Sequence, residues 1–304
     1  MDSELLRTFV AIHHAGGFTH ATGALHLSQP AISRRIALLE HEVGATLFER
    51  TAGGVVLSQA GRALLPHAER ALAALEDCRA AIRALHGGSA GPLALAAVGT
   101  LASTGLTSVL ERFAKRHPGV ELTLRTATSV QVSDLVRRGE ATIGLRYLRD
   151  PAPDLVCHEL APERLVVVCG ARHRLAGRRV ASLADLRDEA WLAFPSAHDA
   201  REGHGYAARE ASADNVFAQF LVRGVASVRW TPVDSLTAQK RLIEAGFGLA
   251  LLPESSIREE RASRTLATIA IKDLRAVNPV FAVVRRGGYR SRAADDLLKL
   301  LTKA

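Results

Sequence analysis

Residues 27–36, Leu27-Ser-Gln-Pro-Ala-Ile-Ser-Arg-Arg-Ile36 (LSQPAISRRI), decide how the N-terminal part of this chain is read. Advancing 100° per residue from Gln29 gathers Ile32, Ile36, Leu39 and Val43 within about 60° of one another, which defines a buried face. Pro30, Arg34, Ala37 and His41 lie opposite, with Ser33 on the flank. Ser28 is placed to cap the helix, and Pro30 is tolerated because first-turn N–H groups have no intrahelical partner. A short helix with hydroxyl, amide and guanidinium groups on its outer first turns suits a DNA major groove. There Arg34 can fork to guanine O6 and N7, Gln29 can pair with an adenine edge, and Ser33 suits a phosphate or base contact. Arg35 sits about 60° from the centre of the buried face, so a phosphate or an acidic neighbour is its expected partner.

The flanking sequence strengthens that reading. Leu6, Phe9 and Val10 share a helical face behind Ser3, the expected N-cap, and Gly16-Gly17 ends that helix. A second short helix is predicted from Thr19 to Leu25, with a tight turn at His26-Leu27 before the third. In FERTAGGVVLSQAG (48–61) the Gly53-Gly54 pair between two strand-like runs signals a hairpin. From Ser58 to His86 the 3–4 spacing of Ala68, Leu72, Leu75, Ile82 and Leu85 predicts a long helix that packs lengthwise on a partner, with Pro66 bending or weakening it near its start. HGGSAGP (86–92) reads as a linker.

Beyond the linker, strand and helix patterns alternate. LALAAV, a helix through 104–116, VELTLR, a helix through 131–138 and ATIGLRY come first; RLVVVCG, a helix near 183–187, WLAF, DSLTAQKRLIEAG and LALLP follow. That is the rhythm of a parallel α/β sheet, and two such units with long crossovers predict two lobes flanking a ligand cleft. The composition, 48% apolar and 23% charged over 304 residues, suits two or three soluble domains. No apolar run approaches the roughly eighteen residues of a membrane span, and MDSELLRTFVAIHH lacks the basic start of a secretory signal, so a cytoplasmic protein without membrane partners is expected. Cys78, Cys157 and Cys169 are too scattered for a disulfide framework or a zinc site and are expected to be small buried hydrophobes. The net charge of +8 is not where DNA binding would put it: residues 1–89 hold eight Arg, no Lys and eight acidic residues.

The matching elements Phe9-Val10, Gly17-Phe18-Thr19, Ala21, Leu25, Ser28-Gln29-Pro30-Ala31, Ser33, Ile36, Leu39-Glu40, Gly44, Leu47-Phe48-Glu49-Arg50, Leu57-Ser58 and Ala60-Gly61 run colinearly through residues 9–68. This stretch resembles the N-terminal region of LysR-type transcriptional regulators. The resemblance continues more weakly through VLERFAKRHPGVELTL and LIEAGFGLALLPE. It implies a winged helix-turn-helix over 1–58, a dimerising linker helix and hinge over 59–90, and an effector domain over 91–304 resembling type 2 periplasmic binding proteins. The first lobe of that domain would hold 91–161 and 266–304, the second 162–265. It further implies a ligand-responsive regulator of double-stranded DNA that self-associates as a dimer or dimer of dimers, with RNA polymerase as a partner and no cofactor. Ser28, Gln29, Pro30, Ser33 and Arg34 would be the recognition-helix contacts; Arg50 and the wing from Thr51 to Gly54 would touch backbone or minor groove. Two positions depart from the family pattern. Gly23 follows Thr22 where a charged residue follows alanine, costing about 1 kcal/mol of helix stability, and Arg174 stands where proline is usual.

The same resemblance places an effector at Gly99, Thr100, Leu101 and Ser103 after the first strand, Thr128 and Ser129 after the second, and Arg146 and Tyr147 after the third. Phe194 and Ser196 would face them from the second lobe, with Asp234 and Ser235 at the crossover. Hydroxyls and free N–H groups at helix starts form anion sites, and Arg146 would add a bidentate partner, which points to a small polar or anionic metabolite. The same Ser and Thr residues could equally serve only as helix caps. Catalysis is not expected. Ser196, His198, Asp199 and His204 are too close in sequence for a triad and read as a loop at the cleft rim; no H-E-x-x-H helix or phosphate loop occurs. Gly246-Phe-Gly248 precedes a strand, the wrong context for a dinucleotide turn. A rival reading makes this a small-molecule-binding protein whose helix-turn-helix serves only dimerisation, and the neutral charge of residues 1–89 is its support.

Overall fold

The computed structural model describes residues 1–51, 54–85, 91–102, 105–195 and 211–303. The chain divides into two compact units, one centred on Met1–His86 and the other holding nearly all of the rest.

The N-terminal unit begins with α1 (Ser3–Ala15), α2 (Phe18–Leu25) and α3 (Gln29–Val43). Asp2, not Ser3, is the N-cap of α1: its carboxylate accepts from the Glu4 N–H at 3.1 Å, and Gly16 ends the helix in the left-handed region. His26 closes α2 at φ 52°, a left-handed turn for which a β-carbon is a handicap. Strands β1 (Phe48–Thr51) and β2 (Gly54–Leu57) pair antiparallel from Phe48↔Leu57 to Thr51↔Gly54. Then α4 (Gln59–Leu85) runs as one helix through Pro66. The expected Leu6, Phe9, Ile32, Ile36 and Leu39 are buried together with Ile12 and Leu47, while Val10 and Val43 are half-buried; Ala68 of α4, expected on a seam facing a partner, joins this core instead. The Phe48 ring stands 5.4 Å from that of Phe9 and 5.5 Å from that of Phe18, tying the hairpin to both helices.

The second unit is built on an eight-stranded sheet. Its first lobe contains β3 (Pro92–Val98), α5 (Gly99–Ala102), α6 (Leu106–Arg116), β4 (Glu121–Ala127), α7 (Ser129–Arg137) and β5 (Ile143–Tyr147). The 16-residue β6 (Leu155–Gly170) follows. Next come β7 (Arg179–Val180), a 3₁₀ turn at Leu183–Leu186, β8 (Ala190–Ala193), α8 (Ala211–Leu221), β9 (Arg229–Pro232) and α9 (Leu236–Glu244). The chain ends with β10 (Ala250–Pro253), a 3₁₀ turn at Glu254–Ile257, α10 (Arg258–Ala262), β11 (Leu266–Ile271), β12 (Val277–Arg285) and α11 (Arg292–Thr302). Strand order is β4-β3-β5-β12-β6-β11-β7, with β10 also on β6.

The expected parallel sheet holds for β4, β3 and β5, and for β8 with β9. The centre differs, because β12 returns from the second lobe and runs antiparallel to both β5 and β6. β11 also departs from the expected lobe boundary at 265. It pairs with Val167–Gly170 of β6 and puts Leu266 and Ile269 into second-lobe cores. The first-lobe core gathers Leu95, Phe113, Val132, Ile143, Val283 and Leu297; the second centres on Trp191, whose ring meets Phe220 edge-on at 5.2 Å. Only Cys169 matches the expectation of a buried cysteine. Its burial pushes the thiol up to about 11, whereas Cys157 is half-buried and Cys78 exposed. Among the described residues no helix is long and apolar enough to cross a membrane.

Gly61 is the tightest joint of the N-terminal unit. A Cβ there would lie 2.2 Å from the Leu47 carbonyl oxygen and 3.0 Å from Leu57 Cδ2. Gly61→Ala should therefore lower the stability of this unit by about 2 kcal/mol, seen as a reduced urea midpoint; an unchanged midpoint would show that the hairpin relaxes freely.

Candidate nucleic-acid interface and effector site

The outer surface of α3 is assembled from the two faces of its helix. Ile32, Ile36 and Leu39 face the core, while Gln29, Pro30, Ser33 and Arg34 are exposed. Ser28 occupies the N-cap position, yet its hydroxyl makes no capping bond. The expectation that Ser28 caps through its side chain is thus corrected to a cap by backbone geometry alone. The two arginines separate as their angles predict. Arg35 lies back against α1, its Nη1 donating to Glu4 Oε2 at 3.2 Å and to Thr8 Oγ1 at 3.3 Å. Arg34 is exposed and makes no ion pair among the described residues.

The wing is placed by polar anchors at its base. Glu40 of α3 accepts the Leu47 N–H at 2.7 Å, and Ser58 Oγ donates to the Thr46 carbonyl at 2.6 Å while accepting from Gly61 N–H at 2.9 Å. Thr51 Oγ1 donates to the Gly54 carbonyl at 3.1 Å across the hairpin end. Arg50 and Thr51 are exposed on β1. Ala52 and Gly53 of the expected wing lie outside the described residues.

In the second unit the proposed effector residues meet because β3, β4 and β5 are parallel neighbours, so their carboxyl ends share one edge. Thr100, at the start of α5, donates to the Tyr147 hydroxyl at 2.7 Å, and that hydroxyl donates to Glu163 Oε2 at 2.6 Å. Ser129 Oγ accepts the Tyr147 N–H at 3.3 Å. Gly99 is exposed beside buried Thr100 and Leu101. Thr128 and Gln131 cap one another across the first turn of α7 at 3.0 and 3.3 Å. In the second lobe, Phe194 follows β8 half-buried. Asp234 is exposed after β9, and Ser235 caps α9 by accepting from Ala238 N–H at 3.4 Å. Ser103, Ser196, His198, Asp199 and His204 lie outside the described residues.

Arg146 is the main correction. Successive residues of a strand point to opposite faces, so while Tyr147 turns to Thr100, Arg146 turns to α7. Its buried guanidinium donates to Ser133 Oγ at 2.7 Å, to Asp150 Oδ2 and to the Tyr147 carbonyl at 3.2 Å. It positions the end of β5 rather than offering an effector a free fork. The sequence reading missed Asp150, Ser133 and Glu163. Asp150 carried a faint signal, an acid four residues beyond a strand arginine; Glu163 carried none, being brought to Tyr147 only by the pairing of β6 with β12. Among the described residues, no cluster of three or more His, Cys, Asp or Glu side chains could hold a metal ion.

A winged helix-turn-helix with an exposed recognition face, joined in one chain to a two-lobed α/β domain, defines a DNA-binding regulator with a sensory module. Two family models match: "Bacterial regulatory helix-turn-helix protein, lysR family" over residues 3–62 and "LysR substrate binding domain" over residues 86–304. The chain belongs to the LysR family of ligand-responsive, DNA-binding transcriptional regulators, and its function is regulation rather than catalysis. It is 32% identical over 259 residues to the HTH-type transcriptional regulator TfdS of Cupriavidus pinatubonensis (strain JMP 134 / LMG 1197), covering 84% of this chain and 83% of that protein. To the regulator CbbR of Rhodospirillum rubrum it is 29% identical over 301 residues, covering 98% and 95%. Among solved structures, full-length CbnR complexed with its target DNA is similar at 26% identity and TM-score 0.63, covering 100% of this chain and 99% of that one. The reading in which the helix-turn-helix serves only dimerisation is not favoured by these relatives.

The buried Arg146–Asp150 pair yields a test of the site's architecture. Removing one member strands the other's charge, so Asp150→Ala should cost about 3–5 kcal/mol in denaturant unfolding, while Arg146→Met with Asp150→Leu should recover much of it. A single-variant loss below about 1 kcal/mol would mean the pair does not hold β5 in place.

Proposed function

We propose that α3 reads a specific operator through Gln29, Pro30, Ser33 and Arg34, with Ser28 on a phosphate and with Arg50 and Thr51 on the backbone or minor groove. The observation that carries this reading is the division of labour between the adjacent arginines: Arg35 is tied to Glu4 and Thr8, whereas Arg34 is exposed, as are Gln29 and Ser33 in the first turns of the helix. A bidentate arginine–guanine contact contributes roughly 1–3 kcal/mol of discrimination. Arg34→Ala should therefore weaken binding to the upstream DNA of the protein's own gene by about tenfold to a hundredfold, leaving non-specific binding and the unfolding midpoint nearly unchanged. Fluorescence anisotropy at fixed salt checks this, and an unchanged ratio of specific to non-specific affinity would remove Arg34 from base reading.

The effector is a small polar or anionic metabolite held at the strand-end edge by Gly99, Thr100, Leu101, Thr128, Ser129 and Tyr147, with Phe194, Asp234 and Ser235 facing it from the second lobe. Ser103 and Ser196 complete the proposed set, and Arg146 supports it from behind. The hydroxyls of Thr100, Thr128 and Ser129, gathered at the carboxyl ends of parallel strands, favour such a ligand. Thermal-shift screening of the full chain identifies it, because a true ligand stabilises with the logarithm of its concentration.

Self-association runs through α4, where Leu75 and Ile82, seven residues apart, are 40% and 57% exposed. Dimers pairing further into tetramers, and contact with RNA polymerase at the promoter, complete the proposed assembly. Leu75→Glu with Ile82→Glu should shift sedimentation toward the monomer; an unaltered sedimentation coefficient would place the interface elsewhere.

A further inference from the structure

Residues 1–89 balance eight arginines against eight acidic residues, so the whole surplus of +8 lies beyond them. Part of it is gathered at one edge of the eight-stranded sheet, where the strand order ends at β11 and the two-residue β7. β7 runs parallel to β11, with Arg179 opposite Ala270 and Val180 opposite Ile271. The Arg178 carbonyl accepts the Ala270 N–H at 3.0 Å, and the Val180 carbonyl accepts the Lys272 N–H at 3.1 Å. At the other end of β11 the Ala171 N–H donates to the Thr265 carbonyl at 3.0 Å, which brings the neighbouring Arg172 and Arg264 together there. A row of cations therefore follows β11, from Arg172 and Arg264 through Arg178 and Arg179 to Lys272. At about 3.3 Å per residue it extends up to roughly 26 Å.

All five are exposed, and no carboxylate of the described residues lies within ion-pair distance of any of them. The carboxylates nearby are engaged by other groups. Glu189 is taken by Arg174, Glu244 by Arg241 at 2.7 Å and by the Thr265 hydroxyl, and Asp273 by Arg223 at 2.8 Å. Arg264 also stands at φ 58°, a left-handed position that favours glycine. One or two charges guard an edge strand against pairing; five of one sign, left uncompensated, repel one another and attract a polyanion.

We propose that this row is a second DNA contact, which binds the phosphate backbone of a duplex without regard to sequence and adds that affinity to the base reading of the head. Each strand of B-DNA carries a charge every 3.4 Å or so of axis, and a row of this length meets several of them. Four of the five cations are arginines, whose planar fork matches phosphate oxygens. An acidic protein surface fits less well. Protein interfaces centre on apolar and aromatic anchors, and none of the exposed large apolar side chains lies within 171–181 or 264–272. The proposal rests on the DNA binding of this family but not on which residues of α3 read the operator, so the two can fail separately.

Fluorescence anisotropy of the full chain over a salt series tests it, on the upstream DNA of its own gene and on a scrambled duplex of about 40 base pairs. Arg178→Gln with Arg179→Gln and Lys272→Gln should weaken both duplexes by the same factor, about tenfold or more at roughly 100 mM salt. The slope of log affinity against log salt should fall by about two to three per protomer. The ratio of specific to non-specific affinity should stay within about twofold, the reverse of the Arg34→Ala outcome. All three side chains are exposed, so the variant is expected to fold. Arg264→Gly separates binding from folding: it should raise the urea midpoint, because glycine relieves the left-handed backbone, while weakening both duplexes by about threefold to tenfold. Unchanged affinity and slope in the triple variant would overturn the proposal, and a loss of poly-L-glutamate binding alongside would make the row a surface for an acidic protein. A loss confined to the upstream DNA would overturn it too, because these residues would then be reading sequence.

Discussion

A strand of sixteen residues is roughly 50 Å long, too long to be buried in one small core, and β6 is such a strand. Its two halves must be covered by different partners. Leu155–Arg164 is paired by β12, and Leu165–Gly170 by β10 on one edge and β11 on the other. Two cores therefore grow on one backbone, and the lobes are parts of a single hydrogen-bonded sheet rather than separate domains on a hinge of loose chain. Everything at the strand-end edge inherits this constraint. Glu163 reaches Tyr147 because β6 lies on β12 and β12 lies on β5, so a hydroxyl of the first lobe reports to the strand that enters the second.

Charge is spent very differently in the two units. In the first, each acidic residue is matched by an arginine in number, and several of these pairs are structural: Arg35 with Glu4, and Arg7 with Glu76 at 2.8 Å. The Arg7 hydrogen bond holds the Glu76 carboxyl below its ordinary range. Recognition by a neutral head depends on where its exposed side chains are put, since no diffuse positive field does the work for them. The second unit carries the surplus.

The helical rhythm of residues 3–43 made the N-terminal core legible, because burial on a helix repeats every three or four residues and each such position is independently visible. Ile32, Ile36 and Leu39 lie where the angular count puts them, and so does Arg35. The alternation of strands and helices likewise announced the α/β class. What sequence could not supply was anything decided by pairing across distance. The direction of Arg146 depends on which face of β5 meets α7, the lobe of β11 on its partner, and the role of Glu163 on a register set two strands away. Caps fell between these cases: Asp2 and Ser3 are both good capping residues, and only the chain's entry angle chose Asp2.

The contact at Gly61 has a mechanical meaning. With no side chain at that position, the first turn of α4 lies directly under the Leu47 carbonyl, and Ser58 bonds both to Thr46 and to the Gly61 amide. The wing and the long helix are keyed together like a handle pinned to its shaft. Torsion along α4 is passed to the wing, and the direction in which Arg50 and Thr51 point is set by the roll of that helix. A ligand-driven change need not deform the reading head; turning its shaft is enough.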